Sequence, residues 1–526
     1  MKNTDKTPTT TEQSWRERAL KAEARAELLS KELEFLNAHL HLLNAKRFGP
    51  SSEKTNPDQL RLFEALFNEA EVMADASAPE PEIIIVPEHK RKKAKGKKGA
   101  SLEGLQENII EHHLPEEEMV CSCCGKERHV IKQEVSRELK YIPPSLSVDV
   151  HVQHIYGCRH CEAHGDGETP IVVAAPKPKR AFPGSIASPS VVASIIDEKF
   201  VMGVPYYRQE QQWTRRGCNI SRQNMANWVI RAAETWLAPM YEHMKGLLLT
   251  QPIILADETT VQILREEGKK PESKSYMWLY RSGRYGPGIV LYEYQPSRAR
   301  EHPREFLKDF KGYLVTDGYS AYTGISPDII NAGCLAHARR GFTDAITIAG
   351  KNKNAKASEG LDFCNRLYKL ERKWHDLDPK QRYEERLLHS KPLLEAFLVW
   401  LQETNEIAVP KSHLGKAVTY CLNQWKPLNT FLLDGRLPID NNTAERSIKP
   451  FVICRKNFLF CNTPTGAKAS AIAFSIVETA KENGLKPFDY IEYLLSALPN
   501  ADLTHLDPFM PWSEELPDHC RTPKKK

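Results

Sequence analysis

Three carboxylates carry the chemistry that this sequence suggests. Asp257 closes the apolar run Pro252-Ile-Ile-Leu-Ala, Asp317 closes Gly312-Tyr-Leu-Val-Thr, and Glu445 lies within Asp440-Asn-Asn-Thr-Ala-Glu-Arg. Both runs read as buried strands, and an ionised carboxylate at the end of a buried strand is costly unless something positive balances it. Hard oxygen donors converging from separate elements suit Mg²⁺ or Mn²⁺, and two such ions with a substrate phosphate completing their shells perform phosphoryl transfer. The expected arrangement has Asp257 bridging two ions, with Asp317 and Glu445 each holding one.

The cysteines suggest a second, different metal. Cys121-Ser-Cys-Cys124 and Cys158-Arg-His-Cys161 are two Cys-x-x-Cys knuckles with 33 residues between them, the spacing of a closed tetrahedral zinc site. Cys121, Cys124, Cys158 and Cys161 are the expected ligands of one structural Zn²⁺. The intervening Glu138-Leu-Lys-Tyr-Ile and Leu146-Ser-Val-Asp-Val-His-Val alternate like the strands of a hairpin. Cys334-Leu-Ala-His337 is a lone half-site, a pattern that more often packs than binds metal.

These residues need elements to hold them. Further strand-like runs, Tyr276 to Arg281 and Gly288 to Tyr294, lie between the two aspartates, and Asp440-Asn-Asn supplies capping side chains for a helix bearing Glu445. Strands followed by a much later acidic helix make an RNase H-like catalytic domain over 247–495, with a helical insertion at about 340–435 rich in Leu, Glu, Lys and Trp. Upstream, Tyr207 to Trp213, a Gly217 break and Ser221-Arg-Gln-Asn-Met-Ala-Asn-Trp228 read as a helix-turn-helix within 171–246. Arg222, Gln223 and Asn224 would then face DNA. The competing reading is a purely structural helical pair.

At 526 residues the chain exceeds one core and is expected to divide into several units, multidomain α+β and α/β. Trp15, Ala19, Ala22, Ala26, Leu29, Leu33, Leu36, Leu40 and Leu43 form a heptad seam over 1–55, which predicts a homo-oligomerising coiled coil or, alternatively, one amphipathic helix docked on the protein. Residues 56–105 read as a disordered linker, first acidic and then basic, with seven Lys or Arg between Lys90 and Lys98. The zinc ribbon is expected over 106–170 and a C-terminal tail over 496–526. No apolar stretch approaches a membrane span and MKNTDKTPTT lacks the core of a signal peptide, so a cytoplasmic protein with no membrane partner is expected.

Cations lie close to the acidic motifs. His337 is placed to approach a scissile phosphate and Arg339 and Arg340 to hold a phosphate backbone, while Arg446, Lys449, Arg455 and Lys456 interleave with Glu445. Such a mixture suits a site where metals need anions and flanking phosphates need cations.

Taken together, these motifs resemble those of transposases of the insertion-sequence IS sixty-six family across nearly the whole chain. The resemblance rests on Arg47-Phe-Gly-Pro-Ser-Ser-Glu-Lys, the two cysteine knuckles, Tyr206-Tyr-Arg-Gln-Glu-Gln, Ala256-Asp-Glu-Thr, Thr316-Asp-Gly-Tyr, Ala336-His-Ala-Arg-Arg and Asn442-Thr-Ala-Glu-Arg. It implies a bacterial DDE transposase acting on the terminal repeats of its element and on target DNA, with Asp257, Asp317 and Glu445 as the triad. It also implies accessory proteins encoded by the same element. Cys334-Leu and Ser122-Cys123 depart from the family pattern without touching the proposed catalytic ligands. Two other readings stand beside it: an RNase H-like nuclease or resolvase that only hydrolyses, and an inactive DNA-binding regulator.

Overall fold

The computed structural model describes residues 108–110, 123, 126, 145–157, 172–349 and 355–523. The heptad seam, the linker with its basic run, and Cys121, Cys124, Cys158 and Cys161 lie outside these residues. The chain divides into two units, Met1–Ser145 and Leu146–Lys526. The second unit opens with a two-stranded antiparallel sheet of β1 (Ile155–Gly157) and β2 (Val172–Ala174). The expected strand over Leu146 to Val152 is not a ladder strand; pairing begins just after it, at Ile155.

Helices α1 (Pro189–Ile196), α2 (Tyr206–Arg215), α3 (Arg222–Ala232) and α4 (Ala238–Leu249) follow. Ser221 Oγ accepts the Asn224 N–H at 3.2 Å and so caps α3, and Gly217 takes φ +83° in the preceding turn. Met225, Val229 and Ala232 of α3 join the same hydrophobic core as the sheet that comes next, while Arg222, Gln223 and Asn224 are exposed.

That sheet has the order β5-β4-β3-β6-β7, built from β3 (Ile253–Gln262), β4 (Lys274–Ser282), β5 (Val290–Gln295), β6 (Gly312–Val315) and β7 (Ile329–Ala332), with the short α5 (Glu301–Phe306) before β6. The first three strands are antiparallel, and β6 and β7 run parallel to β3. Pairing between β3 and β6 stops at Leu255↔Val315, whereas β3 remains paired with β4 through Gln262↔Lys274. Asp257 is therefore not at the end of its strand, as the apolar run suggests; it lies where β3 has lost its parallel neighbour. The burial pattern changes at the same point, from fully buried over Ile253–Ala256 to half-buried over 257–260.

Both sheet edges are closed by helices, which removes the exposed backbone groups that an edge strand presents. Helix α6 (Leu335–Ala349) leads into an insertion of α7 (Ala355–Lys373), α8 (Pro379–Glu385), α9 (Lys391–Ile407), α10 (His413–Asn423) and α11 (Trp425–Asn429). Beside β7, Thr430 Oγ1 donates to Asn331 O at 2.9 Å and Gly333 N–H to Pro427 O at 2.8 Å. After α12 (Asn442–Phe458) come α13 (Pro464–Glu482) and α14 (Pro487–Ala497). Small residues on α13, among them Ala471 and Ser475, let it approach β5 closely. The Tyr292 N–H donates to Ser475 Oγ at 2.8 Å and the Val290 N–H to Thr479 Oγ1 at 3.0 Å. Residues after α14 are packed rather than loose, with Leu506, Met510 and Leu516 in the core.

Candidate active site

Local backbone rules explain where each acidic residue sits. Asp317 follows β6 by two residues, and its Oδ1 accepts the Tyr319 N–H at 2.8 Å, an Asx turn that reverses the chain. Gly318 in that turn has φ +91°, and a Cβ there would lie 2.9 Å from the Gln424 side chain, so the position needs glycine twice over. The Tyr420 hydroxyl on α10 donates to Asp317 O at 3.0 Å, joining the insertion to the turn.

Glu445 occupies the first turn of α12, but the residues before it act differently from the expected caps. Asn441 stands at the N-cap without a side-chain capping bond. It is buried, and its Nδ2 instead donates to Ala256 O at 2.8 Å, directly before Asp257 on β3. The Asn441 N–H donates to Cys334 Sγ at 3.1 Å, and Asp440 Oδ1 accepts the Asn442 N–H at 3.1 Å. Further along, Ser447 is gripped by Arg281 of β4, whose second nitrogen donates to Glu482 Oε1 at 2.7 Å. One helix is thus fixed against β3, β4 and α13.

Burial pushes the Asp257 carboxyl well above the ordinary carboxylate range, and the carboxylates of Glu258, Asp317 and Glu445 push the same way, against one hydrogen bond from the Glu258 N–H. The three expected ligands therefore share one electrostatic environment. Among the described residues no salt bridge reaches Asp257 or Asp317, whereas Glu445 has one cation nearby, Arg340 Nη2 at 3.5 Å, and the His337 imidazole, its Nδ1 at 3.7 Å. Glu445 Oε1 and His337 Nδ1 are buried without a hydrogen-bond partner. Burial also holds the His337 imidazole below its usual pKa, with Glu445 acting in the opposite direction. Oxygen donors of which Asp257 and Asp317 have no paired cation among the described residues, with an orphaned oxygen on Glu445, fit divalent cations of the hard class.

A second grouping overlaps the first. Donor atoms of Cys334, His337 and Glu445 all lie within 4.8 Å of one another. Burial pushes the Cys334 thiol up to about 12, and its sulfur already accepts the Asn441 N–H. Through that bond the thiol joins the start of α6 to the N-terminus of α12.

Sequence reasoning missed the residues that neutralise Glu258. Arg298 Nε donates to Glu258 Oε1 at 2.7 Å, its Nη2 makes a second bond there, and the Tyr322 hydroxyl donates to Glu258 Oε2 at 2.5 Å. The Arg298 guanidinium lies 3.5 Å from the centroid of Tyr319, whose hydroxyl donates to Arg298 O at 2.9 Å. This cluster ties β3 beside Asp257 to the turn after Asp317. Arg298 sits in the irregular Pro296-Ser-Arg-Ala-Arg segment, which carries no periodicity to single it out.

The cations expected at DNA divide by surroundings. Arg446 and Lys456 are exposed, Lys449 is half-buried, and Arg339 is exposed with its Nε donating to Asn365 Oδ1 at 2.8 Å. Arg455 turns inward, bonding Thr260 Oγ1 at 2.8 Å and the Thr260 carbonyl on β3, which gives it a structural use.

Family models match most of the chain. A family model described as "Transposase IS66 family" matches residues 184–469, one described as "zinc-finger binding domain of transposase IS66" matches 118–162, and "IS66 C-terminal element" matches 475–512. A further model, "Transposase C of IS166 homeodomain", matches 36–118. The chain belongs to the IS66 family of transposases. Among its relatives in Sinorhizobium fredii (strain NBRC 101917 / NGR234), the uncharacterized protein y4jD is 29% identical over 449 residues, covering 81% of this chain and 85% of the relative. The uncharacterized protein y4qI is 31% identical over 430 residues, covering 79% and 76%. The zinc-finger match supports a bound zinc, and the family a DNA partner. No helix among the described residues is long and apolar enough to cross a membrane.

Proposed function

We propose that the protein is a DDE transposase that binds the terminal repeats of its insertion sequence, cuts the DNA and joins the freed 3′-hydroxyls to target DNA. The sheet with its α12 carboxylate is read as an RNase H-like catalytic domain, and Asp257, Asp317 and Glu445 as the ligands of two Mg²⁺ or Mn²⁺ ions. The observation that carries this reading is Asp257 itself, half-buried beside three other carboxylates with no cation among the described residues paired to it. Divalent ions, when bound there, favour the ionised attacking oxygen and stabilise the leaving oxygen of an in-line displacement.

The chain's own residues do the rest. Asn441 and Ser447 set the height of Glu445 against β3. Arg298, spent on Glu258, keeps that neighbour from competing for the ions and holds the Asp317 turn at its distance from Asp257. His337 and Arg340 face the phosphate side of Glu445, where they would steady the non-bridging oxygens. Cys121, Cys124, Cys158 and Cys161 are assigned to one structural zinc. Arg222, Gln223 and Asn224, with Arg339, Arg446 and Lys449, are assigned to DNA, and the heptad seam to self-association. Accessory proteins of the same element are included as partners.

The test is a strand-transfer assay with purified protein, Mg²⁺ and a labelled duplex carrying the element's own end, with Asp257→Asn in parallel. Joined products from the wild type alone support the reading; hydrolysis without joining identifies a nuclease, and joining by the Asp257→Asn protein overturns the ligand assignment.

A further inference from the structure

Helix α12 has a second unusual end. Leu459, its first residue beyond the C-terminus, has φ +66° and ψ −51°, and among the described residues it is the non-glycine with positive φ. The Phe460 N–H donates to Phe458 O at 2.8 Å, which closes a three-residue γ-turn of the rare, strained hand. A bulky side chain is unfavourable in that conformation, and glycine would take it without strain.

Burial does not explain why leucine is there. Leu459 is 57% exposed and Phe460 41%, so the strained turn presents two large apolar side chains to solvent. The surroundings hold it in place: the Cys461 N–H donates to Gln262 O at 2.9 Å, the Leu264 N–H to Cys461 O at 3.1 Å and the Arg265 N–H to Asn462 O at 2.9 Å. The segment after the turn is thereby stitched to the far end of β3. Strain maintained by a rigid frame is characteristic of a working site rather than of a linker.

Polar and cationic residues lie close to the pair along the chain and across the Arg265–Asn462 backbone bond. Lys456 and Asn457 on the last turn of α12, Arg265 in the β3–β4 connection, and Lys468 near the start of α13 are all exposed. Exposed apolar tips with exposed cations on the adjoining segments match a duplex, whose phosphates need charge and whose base steps accept Leu and Phe wedges from the minor groove. Fourteen residues separate Glu445 from Leu459. At the helical rise this is roughly 20 Å, about six base-pair steps from the reacting phosphate.

We propose that Leu459 and Phe460 form an apolar wedge that enters a base step of the DNA duplex lying along α12. The inference rests on the transposase reading, since it takes the reacting phosphate to lie near Glu445.

The test uses the full-length protein and duplexes of the element end with 2-aminopurine scanned through successive positions. The wild type, and equally Asp257→Asn, should raise the fluorescence at one step on binding, as unstacking does. Leu459→Gly/Phe460→Ser fits the positive φ, so it should melt no lower than the wild type. It should lose the fluorescence rise, and its binding should weaken by roughly 10- to 100-fold. A stable double variant that keeps the fluorescence rise overturns the wedge. A wild type that joins DNA but gives no rise at any position overturns it while leaving the transposase reading intact; a wild type that binds no element end overturns both. A double variant that changes the sedimentation of DNA-free protein and leaves the fluorescence untouched makes the turn a protein interface instead, and the wedge fails.

Discussion

The β3 side of the pocket and the α6 side balance their carboxylates in opposite ways. On the α6 side Glu445 has Arg340 Nη2 at 3.5 Å, so the protein brings positive charge to it. On the β3 side the available cation, Arg298, is bonded to Glu258, and Asp257 is left with three carboxylates as neighbours. Asp257 and Glu258 are adjacent in sequence, yet one is neutralised within the protein and the other is not. Adjacent carboxylates can therefore divide the work, one structural and one left for an external cation.

The largest effect should come from removing the unbalanced charge. Asp257→Asn is expected to lower strand transfer by about 10³-fold or more, the several kcal/mol that metal-assisted phosphoryl transfer supplies, with DNA binding by gel shift retained. Breaking the balanced side of the strand should cost less. Arg298→Ala frees Glu258 and loosens the Asp317 turn, and is expected to reduce strand transfer by roughly 10- to 100-fold. Its mark is an altered Mg²⁺ requirement in a metal titration, which a purely structural defect would not produce; an unchanged titration would remove Arg298 from the positioning role.

Stability should report the same asymmetry. The folded-state pKa of Asp257 is raised, so the folded protein holds a proton that the unfolded chain releases. This contribution disfavours folding increasingly as pH rises from the ordinary carboxylate range, about 4, through the raised value. Metal-free protein should melt lower as pH rises across that window, Mg²⁺ should raise the melting temperature most at the high end, and Asp257→Asn should melt higher than wild type without Mg²⁺ and respond less to it. Equal Mg²⁺ responses of the two proteins would break the comparison.

The smallest effect lies away from the pocket. Burial pushes Glu293 on β5 up to about 7, with Lys245 pulling back. Its destabilisation grows between the ordinary glutamate pKa and about 7, so Glu293→Gln should stabilise the protein at pH 8 by at most about 3 kcal/mol and leave strand transfer unchanged. Denaturant midpoints at pH 5 and pH 8 check the sign: the gain should be confined to the higher pH.

Much of the arrangement was legible before the fold. Apolar runs marked β3, β4, β5 and β6, and Ser221 starts its helix as capping chemistry requires. Asn441 was legible as a helix start but not as a bridge, because its bond to Ala256 O spans 185 residues. The end of β3 was misplaced because an apolar run records burial, and Asp257 leaves full burial while its strand continues against β4. The cysteine knuckles remain a reading of spacing alone, outside the described residues.

By itself the sequence determined the residue chemistry: hard oxygen donors after apolar runs, thiolate pairs at zinc spacing, and cations interleaved with Glu445. Those are properties of residue type and local order. Only the tertiary structure decided which carboxylate stays unbalanced, which arginine is spent inward, and that Leu459 is strained outward. Charge balance and backbone strain depend on groups brought together from distant parts of the chain, Arg298 to Glu258 across 40 residues and Arg455 to Thr260 across 195, and no local pattern encodes those distances.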